Sequence, residues 1–295
     1  GARRSSPPEI LARAAVRRHR DRAAARLGDH DCRIREVAER LVERRGDIRR
    51  DVSCAIDLGG AGPEARLVVR GDLSPAMVAR RPGPRVVLDE EWLPFASGCF
   101  DLVTSLLALH WVNDLPGALL QIRRSLAPDG LFLAAMIGGE SLIELRQALA
   151  WAESEQEGGV SPRMSPTVDL QDMGGLLQRA GFALPVVDVD TITVTYDDAF
   201  ALMHDLRAMG EANALNQRRK RFTRRATLMA AAAIYTQRFA DADGRLPATF
   251  QIIWLTAWAP HDSQQKALRP GSAKARLADA LDADEKPAGD KARPG

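Results

Sequence analysis

Cys54-Ala55-Ile56-Asp57-Leu58-Gly59-Gly60-Ala61-Gly62 is the stretch on which the fold turns. A continuous apolar run without polar alternation suits a strand covered on both faces, and such strands belong to parallel sheets. The glycines that follow leave the strand's carboxyl end bare of side chains, so a ligand can approach the backbone. Outward from this point the pattern repeats. Val52 to Leu58, Leu67 to Val69, Val86 to Leu88, Leu102 to Ser105 and Leu131 to Met136 read as buried strands. Pro75 to Arg80, Leu115 to Leu126 and Leu142 to Glu155 read as helices between them, the last opened by a capping-box pair, Ser141 and Glu144. Alternating strands and helices predict a doubly wound α/β sheet.

The flanking segments extend this picture. Residues 9 to about 47 read as helical, with Ile34, Val37, Ala38, Leu41 and Val42 at helical spacing and Gly46 as a cap. The arginines Arg13, Arg17, Arg18, Arg20 and Arg22 read as a solvated face, with a docking face as the alternative. Later come a helix over Leu170 to Ala180 capped by Gly181, and a strand over Val186 to Tyr196. Helices over Ala199 to Leu215 and Arg224 to Phe239 follow, then a strand over Ala248 to Trp258. The organisation expected is a helical segment over 1–50, an α/β domain over 51–271 and a mobile tail over 272–295.

Composition narrows the function classes. The 41 basic and 39 acidic side chains leave a net +2, too weak a field to call for nucleic acid or anionic lipid. Cys32, Cys54 and Cys99 form no CxxC pair and no zinc spacing, so reduced thiols and no metal are expected. No run approaches the ~20 apolar residues of a membrane span. A cytoplasmic location is expected; Ala2-Arg3-Arg4-Ser5-Ser6 weakly resembles the remains of a transit peptide, which keeps the mitochondrial matrix as the alternative.

In open α/β sheets ligands bind beyond the carboxyl ends of the strands, where strand order reverses. Asp57, at the end of the first strand, is placed to accept from an ammonium group, with Gly59, Gly60 and Gly62 beside it. Asp72, followed by Leu73, ends the second and suits two ribose hydroxyls. Asp89 and Glu90 end the third and can accept from an adenine amine. Ser105 and Leu106 end the fourth, with His110 and Trp111 just beyond.

Taken together these motifs resemble class I S-adenosylmethionine-dependent methyltransferases. Asp57-Leu58-Gly59-Gly60-Ala61-Gly62 is similar to their glycine motif, Asp72-Leu73-Ser74-Pro75 to their ribose-binding strand end, and Asp89-Glu90-Glu91-Trp92-Leu93-Pro94-Phe95 to their adenine-contacting run. Leu109-His110-Trp111-Val112-Asn113-Asp114, Gly138-Gly139-Glu140-Ser141 and Ala259-Pro260-His261-Asp262-Ser263 resemble one subfamily, the bacterial relatives of the mitochondrial complex I assembly methyltransferase-like protein. The resemblance implies a Rossmann-like, mostly parallel seven-stranded sheet with helices on both faces, and S-adenosylmethionine as cofactor. It implies His110 as base or substrate contact, and Trp111 and His261 on the substrate side. The alternative for His110 and Trp111 is packing under the next helix, and for His261 a plain strand-end turn.

One count departs from that pattern. Asp57 to Asp72 spans 15 residues, against about 20 from a glycine motif to its ribose acid in the related dinucleotide fold. The helix whose amides would face the ligand is missing or reduced to a turn, and Pro63 removes a further donor. Weakened cofactor binding is therefore expected. Two functions remain open: methylation of a protein or carrier-protein substrate, or a non-catalytic (or, as the resemblance implies, arginine-hydroxylating) assembly factor for respiratory complex I. The second would use the arginine-rich first helix and Gln217 to Arg225.

Overall fold

The computed structural model describes residues 9–26, 32–46, 48, 51–163 and 170–264. Helices α1 (Arg13–Ala24) and α2 (Cys32–Gly46) precede β1 (Cys54–Leu58), β2 (Leu67–Asp72), α3 (Pro75–Ala79), β3 (Arg85–Val87) and β4 (Phe100–Leu106). A single 3-10 turn, Leu109–Trp111, leads into α4 (Leu115–Ser125), β5 (Leu126–Ile137), α5 (Ile143–Glu157) and α6 (Leu170–Arg179). The order closes with β6 (Ala183–Tyr196), α7 (Ala199–Met209), α8 (Arg225–Phe239) and β7 (Leu246–Trp258).

The strands make one seven-stranded sheet in the order β3-β2-β1-β4-β5-β7-β6. Every pair from β3 to β5 is parallel, whereas β7 runs antiparallel to both β5 and β6. Strand order therefore reverses between β1 and β4. The central strands are continuous apolar runs because both faces are covered. On one face Val103 and Phe132 pack with Leu119 and Ile122 of α4 and Leu177 of α6. On the other, Leu102, Leu131 and Leu133 meet Val37 and Leu41 of α2. Edge strand β6 instead alternates in exposure along its length, the pattern of a strand with one wet face. A further cluster joins α5, α7 and α8 through Ala148, Ala152, Leu202, Ala231 and Tyr235.

Two boundaries differ from the sequence reading. Helix α7 stops at Met209, not Leu215, because Gly210 turns left-handed at φ 86° and the Glu211 amide closes back on Leu206. The expected capping box at α5 does not form. Strand β7 lies alongside and takes both groups: Ser141 Oγ exchanges hydrogen bonds with the Gln251 backbone, and Glu144 accepts from Thr249. Residues through His261 form one compact unit; of a second, Asp262–Gly295, only the turn at residues 262–264 is described. The tail expected over 272–295 lies outside the described residues.

Candidate cofactor site and substrate cavity

β1 runs into β2 through residues 59–66 without a helix, although the two strands are parallel and in register from Cys54–Leu67 to Leu58–Gly71. The loop is held from below. Asp57 accepts from the amides of Ala61 at 2.8 Å and Gly62 at 3.2 Å, and from Thr104 Oγ1 at 3.1 Å. Its carboxylate thus fastens its own loop. Gly59 sits at φ 86°, and a Cβ there would fall 2.0 Å from the Leu106 carbonyl oxygen, so the loop crosses directly over the end of β4.

The remaining acids are met by the chain's own arginines. Asp72 is fully buried, and Arg20 of α1 donates to both its oxygens, Nε to Oδ1 at 3.0 Å and Nη2 to Oδ2 at 2.6 Å. Arg81 lies 3.5 Å from the same carboxylate and donates to the Gly59 carbonyl at 2.6 Å. Its guanidinium fills the space over Gly60, where a Cβ would come within 2.5 Å of Nη2. Burial alone would raise the pKa of Asp72; Arg20, with Arg81 behind it, holds it below the ordinary carboxylate value. Two turns of α1 earlier, Arg13 reaches Asp89 at 2.5 Å, the Trp111 carbonyl at 2.8 Å, and Glu90. Burial lifts the Glu90 pKa in spite of Arg13. Leu73 packs under α1 beside Leu11, Val16 and Trp111. Ser105 is buried, and its hydroxyl finds no partner among the described residues.

This arrangement does not fit S-adenosylmethionine as it stands. Asp72, the acid the resemblance assigns to the ribose, is met by a bidentate guanidinium, the space over Gly60 is filled by Arg81, and no helix follows the glycines to offer amides. The sequence pattern of α1 predicts a solvated arginine face. That holds for Arg17, Arg18 and Arg22, which are exposed, but Arg13 and Arg20 share the buried face with Val16 and Ala23.

A separate cavity of about 740 Å³ opens beyond the 3-10 turn. His110 and Trp111 line it, but none of Gly59, Gly60, Asp72 and Asp89 does. His110 Nε2 lies 3.1 Å from Glu211 Oε2, and Trp111 Nε1 donates to Glu211 Oε1 at 3.5 Å. Both residues thus line the cavity and contact Glu211, which follows α7. Glu211 escaped the sequence reading because it was placed within a helix; an acid directly after a capping glycine was the available signal. Asn113 ties the turn down, with its Oδ1 accepting from the Leu11 amide at 2.7 Å and its own amide donating to Glu91 at 2.6 Å. His261 is not brought to this place. Trp258, three residues before it, pairs with Leu131 at the amino-terminal part of β5, while His110 follows the carboxyl end of β4. The antiparallel course of β7 carries His261 to the opposite end of the sheet.

The strand order, the antiparallel β7 and the acids at successive strand ends define a class I S-adenosylmethionine-dependent methyltransferase fold. The Methyltransferase domain family profile matches residues 56–134. Arginine-hydroxylase NDUFAF5, mitochondrial, of Danio rerio is 42% identical, covering 92% of this chain and 89% of that protein. Its Homo sapiens counterpart is 45% identical over 81% of this chain and 73% of its own length. Malonyl-[acyl-carrier protein] O-methyltransferase of Laribacter hongkongensis is 36% identical, covering 87% and 92%. In fold, the YcgJ protein from Bacillus subtilis is similar at a TM-score of 0.52 and 14% identity, covering 76% of this chain and 99% of that one. The chain belongs to the methyltransferase-fold family that contains the mitochondrial NDUFAF5 proteins and the malonyl-carrier-protein methyltransferases.

Proposed function

We propose that this chain is a binding factor built on a methyltransferase fold, with its nucleoside end closed by its own arginines and its substrate cavity kept for a group borne by a protein or carrier partner. One observation carries the reading: Arg20 occupies both oxygens of Asp72, the position a ribose would need. The relatives support the partner classes, one named as an arginine hydroxylase and one as acting on a malonyl carrier protein. The complex I assembly role that the resemblance implies belongs to the same reading. Within the cavity, Glu211 orients the imidazole of His110 through Nε2, leaving Nδ1 buried without a partner among the described residues. That nitrogen is free to make one hydrogen bond to what the cavity captures.

Isothermal titration of the full chain with S-adenosylmethionine and its demethylated product tests the closed end. No saturation is expected up to millimolar ligand. Micromolar affinity with unit stoichiometry overturns it. A second reading, methyl transfer, is favoured by Asp72, Asp89 and His110 standing at successive strand ends, and it requires α1 to leave the acids. Pull-down with respiratory-complex subunits against cofactor titration separates the two.

A further inference from the structure

The cavity has a chemistry of its own. Seven arginines line it against one carboxylate, Glu211, so its field is positive. Arg163 and Arg219 are paired, with Glu153 and Glu157. Among the described residues Arg207 and Arg221 have no carboxylate partner, nor do Arg22, Arg146 and Arg218, whose recorded bonds go to backbone carbonyls. The pKa of His19, on the same wall, is depressed, first by burial and then by Arg22 and Arg218. Beneath the arginines the wall is apolar, formed by Leu142, Leu145, Leu149, Met203, Leu228 and Phe250.

The balance of donors and acceptors is equally one-sided. Guanidinium groups donate and never accept. Three acceptor side chains on the wall are already engaged: both oxygens of Glu211 face His110 and Trp111, Asn213 Oδ1 accepts from the Leu215 amide, and Ser141 Oγ accepts from the Gln251 amide, while His110 Nδ1 is left for a single donor. A peptide entering here would bring N–H donors with few places to put them, and buried donors left unpaired are costly. A hydrocarbon chain ending in a multiply charged oxyanion brings acceptors at one end and no donors along its length. A volume of about 740 Å³ is in the range of pockets that bury small organic ligands.

We infer that this cavity binds a phosphate-headed, apolar-tailed ligand, its phosphate at Arg207 and Arg221 and its chain along the Leu145, Leu149 and Met203 wall. The inference rests on the cavity serving as the capture site, but not on how the nucleoside end behaves. The test is titration of the full chain with decyl phosphate, read by calorimetry, with intrinsic tryptophan fluorescence beside it. Inorganic phosphate and decanol serve as the two halves of the ligand. Decyl phosphate should bind at least about tenfold more tightly than either half, and the paired change Arg207→Gln with Arg221→Gln should weaken it about tenfold or more. Lys220→Gln removes a charge from the same segment but not from the cavity lining, and it should leave affinity within about twofold. Equal binding of decanol, or equal loss with Lys220→Gln, overturns the site. Lysophosphatidic acid should then bind as well as decyl phosphate, whereas lauroyl-phosphopantetheine, which puts two amide N–H donors between its phosphate and its chain, should bind more weakly; the reverse order overturns a donor-free apolar tail. Saturation by S-adenosylmethionine would sink the closed nucleoside end alone, so the two failures can be told apart.

Discussion

Arg20 and Asp72 stand 52 positions apart and meet in a buried, bidentate pair. Removing Arg20 leaves the buried Asp72 with only Arg81, 3.5 Å away, as charge partner, so Arg20→Ala should cost about 3 kcal/mol, whereas Arg20→Met with Asp72→Leu should cost less. Urea unfolding of the three proteins decides this; equal losses would mean that the guanidinium acts by packing alone. The pair also sets a pH dependence. Asp72 has its folded pKa depressed, so its stabilisation is fully present above the unfolded value of about 3.9 and is lost as pH falls through the folded value. Glu90 has the opposite sign: its pKa is raised, so its contribution is lost as pH rises through the folded value. Melts at low pH should therefore show a steep acid limb in the parent, flattened in Asp72→Asn. The acids were legible in the sequence because strand ends can be counted. Their partners were not, since nothing local marks Arg13 and Arg20 as inward-facing except the seven-residue interval they share, and a polar residue on a helix reads as solvated by default.

At the scale of elements, α1 acts as a strap and the β1–β2 connection as a shortened crossover. The strap is anchored at both ends: Leu11 bridges to Leu215, and Gly210 at the end of α7 lies against Arg20 and Ala23. The crossover depends on Gly59. Alanine there would have φ 86° and its Cβ 2.0 Å from a backbone oxygen, so Gly59→Ala should destabilise by more than about 2 kcal/mol, above the cost of left-handed strain alone. Thermal melting beside Gly62→Ala, which has open space around its Cβ, isolates the clash; equal losses at the two positions would refute it. The short connection was readable by counting residues from Asp57 to Asp72, because two parallel strands leave little freedom in what joins them. The end of α7 and the start of α5 were not, because a capping glycine and a neighbouring strand override local propensity.

For the whole molecule, the proposed closed end sets two barriers before S-adenosylmethionine, the missing loop helix and the arginines on the acids. They act on one site, so their removal should not be additive. Inserting a helical segment after Gly62 gives back amide donors but leaves Asp72 bound to Arg20. Replacing Arg20 and Arg81 by alanine frees Asp72 but leaves no helix to meet the ligand's polar end, and it loosens α1. Each change alone should therefore leave binding unsaturated at millimolar ligand, while the combination should produce a saturable site. Thermal shift at fixed ligand reads this directly, since a ligand at 100 times its Kd stabilises by about 2.7 kcal/mol. If the arginine variant alone gains the shift, the strap is the whole barrier and the short loop is tolerated. If the insertion alone gains it, the arginine contacts yield to the ligand and α1 is mobile in solution. A shift confined to the combined variant means that both ends of the site were closed, and that the fold kept its acids for holding α1 rather than a nucleoside.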